Sequence, residues 1–534
     1  MPTYPVGPAA DLAPGQMKLV DAGGTEVLLC NVDGAVSALH PKCTHYGAPL
    51  IDGALNGFRL VCPWHHACFD ARTGRHVEAP GCDALASYPV VVRGDQIVVR
   101  LPEPVGDGLV ANPMAAPEAV APDADTAGRP KPYLVVGGGP AGAHAVEGLR
   151  QGGYRGPVTL VTAEPHLPYD RTQVSKGYLS GDRPAEKMPL RNADFYAGLG
   201  VDVLTATRVE RIDAKAHRAH FEGGGGIDYA KVCLATGSTP RALDVPGADL
   251  PAIYTLRDRA DAEAIRAAAG EYKSVVVVGS SFIGMEAAMA LADMGCEVTV
   301  VSPEEVPFGK TFGRRVGRAV QAWQEEIGVT FRLGESVTGF EGIRKVTGVK
   351  LGSGEVLQAS FVVVGIGVTP NGDLIDSLPA GDDGGIPVDE YGYAGYDVYV
   401  AGDIASAPQA ADGSRARIEH WRVAAQQGTV AGNNMAGARR ALRSVPYFWT
   451  NQAGHNLRYA GHHGSTDNVV FDGTPGEGPF VAYYVEGDRV AAALGFGRDK
   501  DLVAIHELMW LGAMPTPGEL DPGADWTEVL AGFA

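Results

Sequence analysis

The run YLVVGGGPAG at Tyr133–Gly142 most constrains how this chain can fold. Four largely apolar residues, Tyr133–Val136, end abruptly in glycines and lead into a small-residue helix pattern. That is the strand–turn–helix of a dinucleotide-binding unit, with Gly137, Gly139 and Gly142 at the G-x-G-x-x-G spacing. The first glycine makes the tight turn, the second admits a pyrophosphate, and the third lets helix and strand approach closely. Pro140 and Ala141 open the helix, whose N-terminal N–H groups and dipole face the phosphates. The next apolar run, Leu160–Glu164, ends in an acid able to hold a ribose.

At 534 residues the chain has room for three to four domains. A net charge of −19 argues against nucleic acid or an anionic membrane as partner. The N-terminus has neither the basic nor the apolar region of a secretory signal. No apolar run reaches the roughly 18 residues of a membrane span. Five of the seven cysteines fall in the first 82 residues. An odd, lopsided count does not suit a secreted disulfide framework and points to a reducing, cytoplasmic location with a metal site near the N-terminus.

Between Met17 and Arg100, short apolar runs alternate with turn signals such as Asp33-Gly34 and Asn56-Gly57. Lys18–Val20, Val27–Asn31, Val36–Leu39, Arg59–Cys62, Tyr88–Val92 and Gln96–Arg100 read as strands of a small antiparallel domain. Two of its loops carry Cys43-Thr44-His45 and Cys62-Pro63-Trp64-His65. Two Cys and two His suit a tetrahedral zinc ion. Zinc fingers, however, usually keep the Cys pair and the His pair apart, whereas here each loop offers one thiolate and one imidazole. A Rieske 2Fe–2S centre needs that division, with two thiolates on one iron and two histidines on the other. HPKCTHYGAPL and VCPWHHACFD resemble the two cluster-binding loops of Rieske-type ferredoxins. The resemblance makes Cys43, His45, Cys62 and His65 the ligands. Ala48 and Trp64 stand where respiratory Rieske proteins carry a disulfide, so that bond cannot form. His66 stands where the family commonly has glycine, and reads as a spare donor or a tolerated loop residue. Cys68 and Cys82 read as small core residues.

Leu101–Pro132 is rich in Pro, Ala, Gly and Asp and reads as a tether. As coil, its ~30 residues would reach roughly 30 Å. Beyond it, HLPYDRTQVSKGYLSG (His166–Gly181), CLATGSTPR (Cys233–Arg241), VVVVGSSFIGMEAA (Val275–Ala288), VVVGIGVTPN (Val362–Asn371), VYVAGDIAS (Val398–Ser406), IEHWRVAAQQGTVAGNNMAG (Ile418–Gly437) and VPYFWTNQ (Val445–Gln452) follow in order. The series resembles NAD(P)H-dependent ferredoxin reductases and apoptosis-inducing-factor-like FAD flavoproteins. With the N-terminal module, the implied fold is an all-β Rieske domain followed by a glutathione-reductase-like α/β flavoprotein with two dinucleotide-binding domains and an α+β C-terminal domain. The expected divisions are 1–103 for the Rieske domain, 104–131 for the linker, 132–252 with 378–442 for FAD, 253–377 for NAD(P)H, and 443–534 for the C-terminal domain. That last part could carry a homodimer contact.

By this resemblance Gly137–Gly142 hold FAD, helped by Glu164, Arg171, Ala235, Thr236, Gly237, Arg241, Gly367 and Gly402. Asp403 would hydrogen-bond the ribityl chain, and Lys176, paired with Glu286, would lie under flavin N5. Positive charge there would favour reduced flavin. Glu419, His420 and Trp421 would line the pyrimidine edge, with a helix dipole aimed at it, and Trp449 would lie near the ring. Gly279, Phe282, Ile283 and Gly284 form the second nucleotide turn, in which Ser281 replaces the middle glycine. Ser302 ends the next strand where an acid usually meets the NAD ribose; Glu304 can substitute, while Lys310, Arg314 and Arg315 are the nearest candidates for a 2′-phosphate. NADH is therefore favoured over NADPH. After residue 132 only Cys233 and Cys296 remain, so cysteine-pair chemistry is not expected. The expected activity is hydride transfer from NAD(P)H to FAD, then single electrons to the fused cluster and on to a redox protein such as an oxygenase, a cytochrome P450 or a ferredoxin, or to a small molecule. A flavin oxidase or small-molecule reductase, and an NADH-sensing interaction protein, remain open as other readings.

Overall fold

A computed structural model describes residues 1–103, 105–117 and 131–533. Alternating short strands build the first hundred residues. One four-stranded antiparallel sheet orders Ser87–Tyr88, Ala35–Leu39, Glu26–Val32 and Met17–Asp21; a second orders Ala54–Asn56, Arg59–Val61, Cys68–Asp70 and His76–Glu78. Thr3–Pro8 pairs with Gln96–Arg100, which pairs in turn with Val90–Arg93. The strand expected at Tyr88–Val92 is broken at Pro89, which has no N–H to give a ladder.

The expected tether is not a free coil where it is described. Leu109–Val110 pairs antiparallel with Ala84–Leu85. Asn112 is buried, its Nδ2 donating to the Cys82 carbonyl and its Oδ1 accepting from the His76 N–H, both at 3.1 Å. The Ala115 N–H reaches the Arg150 carbonyl at 2.9 Å. Backbone pairing here satisfies groups that composition alone assigned to solvent. The middle of the expected linker, 118–130, lies outside the described residues.

Val-rich runs make two parallel sheets. The first orders Val201–Leu204, Val158–Val161, Tyr133–Val136, Lys231–Leu234 and Val398–Val400, with Tyr393–Gly395 antiparallel at the edge. The second is parallel throughout: Ile253–Thr255, Phe361–Val364, Ser274–Val278, Glu297–Ser302 and Thr330–Leu333. Strands buried on both faces read as continuous apolar runs, as the central Ser274–Val278 and Phe361–Val364 do. Each sheet's first glycine turn feeds a helix, Pro140–Gln151 in one and Phe282–Asp293 in the other. The chain ends in a five-stranded antiparallel sheet backed by helix Asp499–Leu511, with the expected hairpin at Phe480–Glu486 and Arg489–Phe496. No helix among the described residues is long and apolar enough to cross a membrane.

Candidate functional site

The first glycine turn is built as its sequence requires. A Cβ on Gly142 would lie 1.9 Å from the Gly137 carbonyl oxygen, so only glycine lets helix and strand meet there. A Cβ on Gly139 would meet nothing within 4 Å, leaving an open cradle at the helix N-terminus. That cradle opens into a cleft of about 760 Å³, which runs from the first glycine turn to the second. Of the residues assigned to the flavin and the two nucleotide turns, all line it except Gly142, Arg241, Gly279 and Gly284. The NAD ribose and 2′-phosphate candidates Ser302, Glu304, Lys310, Arg314 and Arg315 lie outside its wall. The three glycines act behind the wall: a Cβ on Gly284 would lie 2.1 Å from the Gly279 carbonyl oxygen. Arg241 is turned away, its Nε donating to the Val368 carbonyl at 3.0 Å. The family resemblance suggested a nucleotide contact, but the exposed guanidinium meets the neighbouring strand Val368–Pro370 instead.

Charges in the cleft are tied in pairs. Lys176 Nζ donates to Glu286 Oε2 at 2.6 Å, where Ser175 Oγ also donates at 2.6 Å; Thr450 Oγ1 donates to Glu286 Oε1 at 2.8 Å. Arg171 and Tyr169 both donate to Glu164. Burial pushes the Glu164 carboxyl up, but Arg171 outweighs it and holds the group below its usual range. Asp403 Oδ2 accepts from Arg257 Nη2 at 2.7 Å and Ser238 Oγ at 3.0 Å. Neither partner was legible in the sequence, because a lone Arg in a loop and a lone Ser in a three-residue strand carry no spacing signal. His420 caps helix Trp421–Met435, whose N-terminal end faces the cleft. Burial lowers the His420 imidazole to about 4, keeping it neutral. Ser302 is buried and accepts from Ser280 Oγ at 2.8 Å. The half-exposed Glu304 lies beside Lys310.

The two ligand loops are built alike. In the first, the Cys43 N–H donates to the Ala48 carbonyl and the Gly47 N–H to the Cys43 carbonyl, both at 2.9 Å. In the second, the Cys62 N–H donates to the Ala67 carbonyl at 2.9 Å and the His66 N–H to the Cys62 carbonyl at 3.1 Å. The two buried thiols are close enough that each shifts the other's titration, Cys43 upward and Cys62 downward, and the Nδ1 atoms of His45 and His65 face each other at 3.1 Å. The backbone N–H groups of His45 and Tyr46 act to lower the Cys43 thiol's pKa, and those of Trp64 and His65 do the same at Cys62. Among the described residues no three His, Cys, Asp or Glu side chains converge on one ion position. Sulfur paired with sulfur and nitrogen with nitrogen is the donor set of a two-iron cluster rather than a single zinc. Trp449 joins the two sites. Its ring lies 4.3 Å from His65, centroid to centroid, and it also lines the cleft.

A pyridine nucleotide-disulphide oxidoreductase model matches residues 131–428, a Rieske [2Fe-2S] domain model 2–89, and a reductase C-terminal model 447–530. The chain belongs to the pyridine nucleotide-disulphide oxidoreductases. It is a Rieske-bearing member of that family and an NAD(P)H-dependent flavoprotein reductase, with FAD, NAD(P)H and a 2Fe–2S cluster as its cofactors. Its two cysteines after residue 132, Cys233 and Cys296, are free and buried, so the disulfide chemistry of the family name has no pair to work with. The chain is 36% identical over 508 residues to human apoptosis-inducing factor 3, spanning 94% of this chain and 83% of that protein. It is 35% identical over 399 residues to the ferredoxin–NAD(+) reductase component of the Burkholderia cepacia anthranilate 1,2-dioxygenase system, spanning 73% and 97%. Among solved structures, the covalent putidaredoxin reductase–putidaredoxin complex matches at a TM-score of 0.69 and 28% identity, over 77% of this chain and 99% of that one. The Rhodopseudomonas palustris ferredoxin reductase for the CYP199A2 system matches at 0.71 and 28%, over 75% and 100%.

Proposed function

We propose that this reductase takes hydride from NADH in the cleft and delivers single electrons through its own Rieske module to an external redox protein of the kind that serves oxygenase systems. The carrying observation is the contact of Trp449, at the cleft wall, with His65. When bound, FAD accepts two electrons together and releases them singly, and the 2Fe–2S cluster carries one at a time. Gly137, Gly139 and helix Pro140–Gln151 would receive the pyrophosphate. Cys43, Cys62, His45 and His65 would hold the cluster. The Lys176 ammonium, fixed by Glu286, sets a positive charge on the cleft wall without any reorganisation during reaction. The N-terminus of helix Trp421–Met435, which starts next to the neutral His420, adds a second positive field. Trp449 fills the space between the cleft wall and the two ligand histidines. The preference for NADH rests on the Glu304 carboxylate, which would repel a 2′-phosphate and accept from a 2′-hydroxyl.

Rapid mixing of the oxidised holoprotein with NADH tests the order. Flavin absorbance is expected to bleach first and cluster absorbance to follow within the same turnover. Cys62→Ser should abolish reduction of cytochrome c while two-electron dye reduction by NADH continues. Equal loss of both activities would sink the relay.

A further inference from the structure

The two ligand loops share one corner, and the residues at that corner differ. Gly47 turns the first loop with φ +75°, exposed, with nothing within 4 Å of an added Cβ. His66 turns the second with φ +56°, a left-handed conformation that favours glycine, yet its side chain is fully buried. Neither of its ring nitrogens has a hydrogen-bond partner in the structure. A residue that works against both backbone preference and polar burial is retained for its ring. That ring stacks on Tyr447 at 3.8 Å between centroids with a 23° interplanar angle, and His506 closes edge-on at 4.7 Å. The chain on either side of His65 is clamped by the same surface. Tyr447 Oη and Arg458 Nε donate to the Trp64 carbonyl at 2.7 and 3.0 Å, and Arg422 Nη2 donates to the His66 carbonyl at 3.1 Å.

We infer that His66 is a positioning residue, whose ring keys the second ligand loop into the Tyr447–His506 pocket and so fixes His65 against Trp449. The consequence is a Rieske module that works in one docked position, with no swing between loading and delivery. The inference rests on the proposed relay only where it assigns His65 to the cluster.

His66→Gly tests it, since glycine takes the left-handed corner freely and loop 62–67 keeps its hydrogen bonds. Hydrogen exchange on the oxidised holoprotein, without NADH, should quicken at 62–67 and at Tyr447–Gln452. Iron content, flavin content and the spectrum of the reduced cluster should match the parent, as should flavin reduction by NADH. Transfer from flavin to cluster should slow by about tenfold or more, as a displaced acceptor requires. His66→Phe, which keeps the flat ring, should restore both exchange protection and transfer. Parent-like exchange and transfer in His66→Gly would overturn the inference. So would loss of iron from that variant, which would assign His66 to cluster binding. If the parent cluster did not bleach with NADH, the relay would fall, while the exchange difference would still decide the role of His66.

Discussion

Glu286 shows how much one side chain can organise. It leaves the second glycine turn on helix Phe282–Asp293, yet accepts from Ser175 and Lys176 of the FAD part and from Thr450 of the C-terminal sheet. Its side chain is 5% exposed and that of Lys176 is 21% exposed, so the pair sits where charge is poorly screened. Glu286→Gln keeps the shape but removes the counter-charge and one of the two acceptor oxygens. It should lower stability by about 1–3 kcal/mol and, by releasing Lys176 from the cleft wall, slow flavin reduction by NADH about tenfold to a hundredfold. Denaturant unfolding and stopped-flow bleaching measure the two effects separately. A variant that is destabilised but reduces its flavin at full speed would make the pair structural. At this scale the sequence was informative where a motif fixed the spacing, as at Gly137–Gly142 and the two Cys/His loops. It was silent about Arg257, Ser238 and Tyr447, whose roles come from what the fold brings opposite them.

The helix that follows the first glycine turn carries a prediction of its own. His144, two residues beyond Gly142, is fully buried against Trp421, with Nε2 unpartnered. Burial, reinforced by His76 and Arg191, lowers its imidazole to about 3, and burial lowers His76 to about 4. Between pH 6.5 and about 4 the unfolded chain therefore binds protons that the folded helix seam refuses. Stability rises with pH wherever the unfolded state binds more protons, so it must fall as pH drops through this window. Replacing His144 with Phe removes one such group and should flatten the fall by roughly 2–4 kcal/mol at pH 4. Urea titrations at pH 7 and pH 4 check this, and an unchanged pH slope would refute it. Legibility at the element scale followed length and pattern. Long apolar runs such as Ser274–Val278 and Phe480–Glu486 declared themselves. The three-residue strands Ala54–Asn56, Cys68–Asp70 and His76–Glu78 are too short to show a period of two. The Leu109–Val110 pairing was hidden in linker composition, since two residues gain their partner only from the folded module.

At the scale of the molecule, the Rieske module and the C-terminal sheet share one core. Ala54, Val61 and Cys68 pack with Tyr447, Ala460 and Trp526, and a buried charge network closes the seam. Arg59 donates to both oxygens of Glu507 at 2.8 and 3.1 Å and to Glu78 at 2.7 Å, while Arg422 donates to Glu78 at 2.8 Å. Burial pushes the Glu507 carboxyl up, but hydrogen bonds from His506 and Arg59 more than offset it and hold the group far below its usual range. Partners 448 residues apart leave no trace in sequence spacing, which is why composition suggested a tethered module rather than a fixed one. Two cations balance two anions in this network, so removing one leaves charge buried without compensation. Arg59→Met should cost about 3–5 kcal/mol for that reason. Because the core is shared, the loss should not stay on one side of the seam. Cluster absorbance, which follows the Rieske module, and tryptophan fluorescence, which includes Trp526 and Trp510, should melt together in the parent and shift together in the variant. A fall confined to the cluster signal, with the fluorescence transition unmoved, would show that the module unfolds alone and that the seam does not make the two parts one cooperative unit.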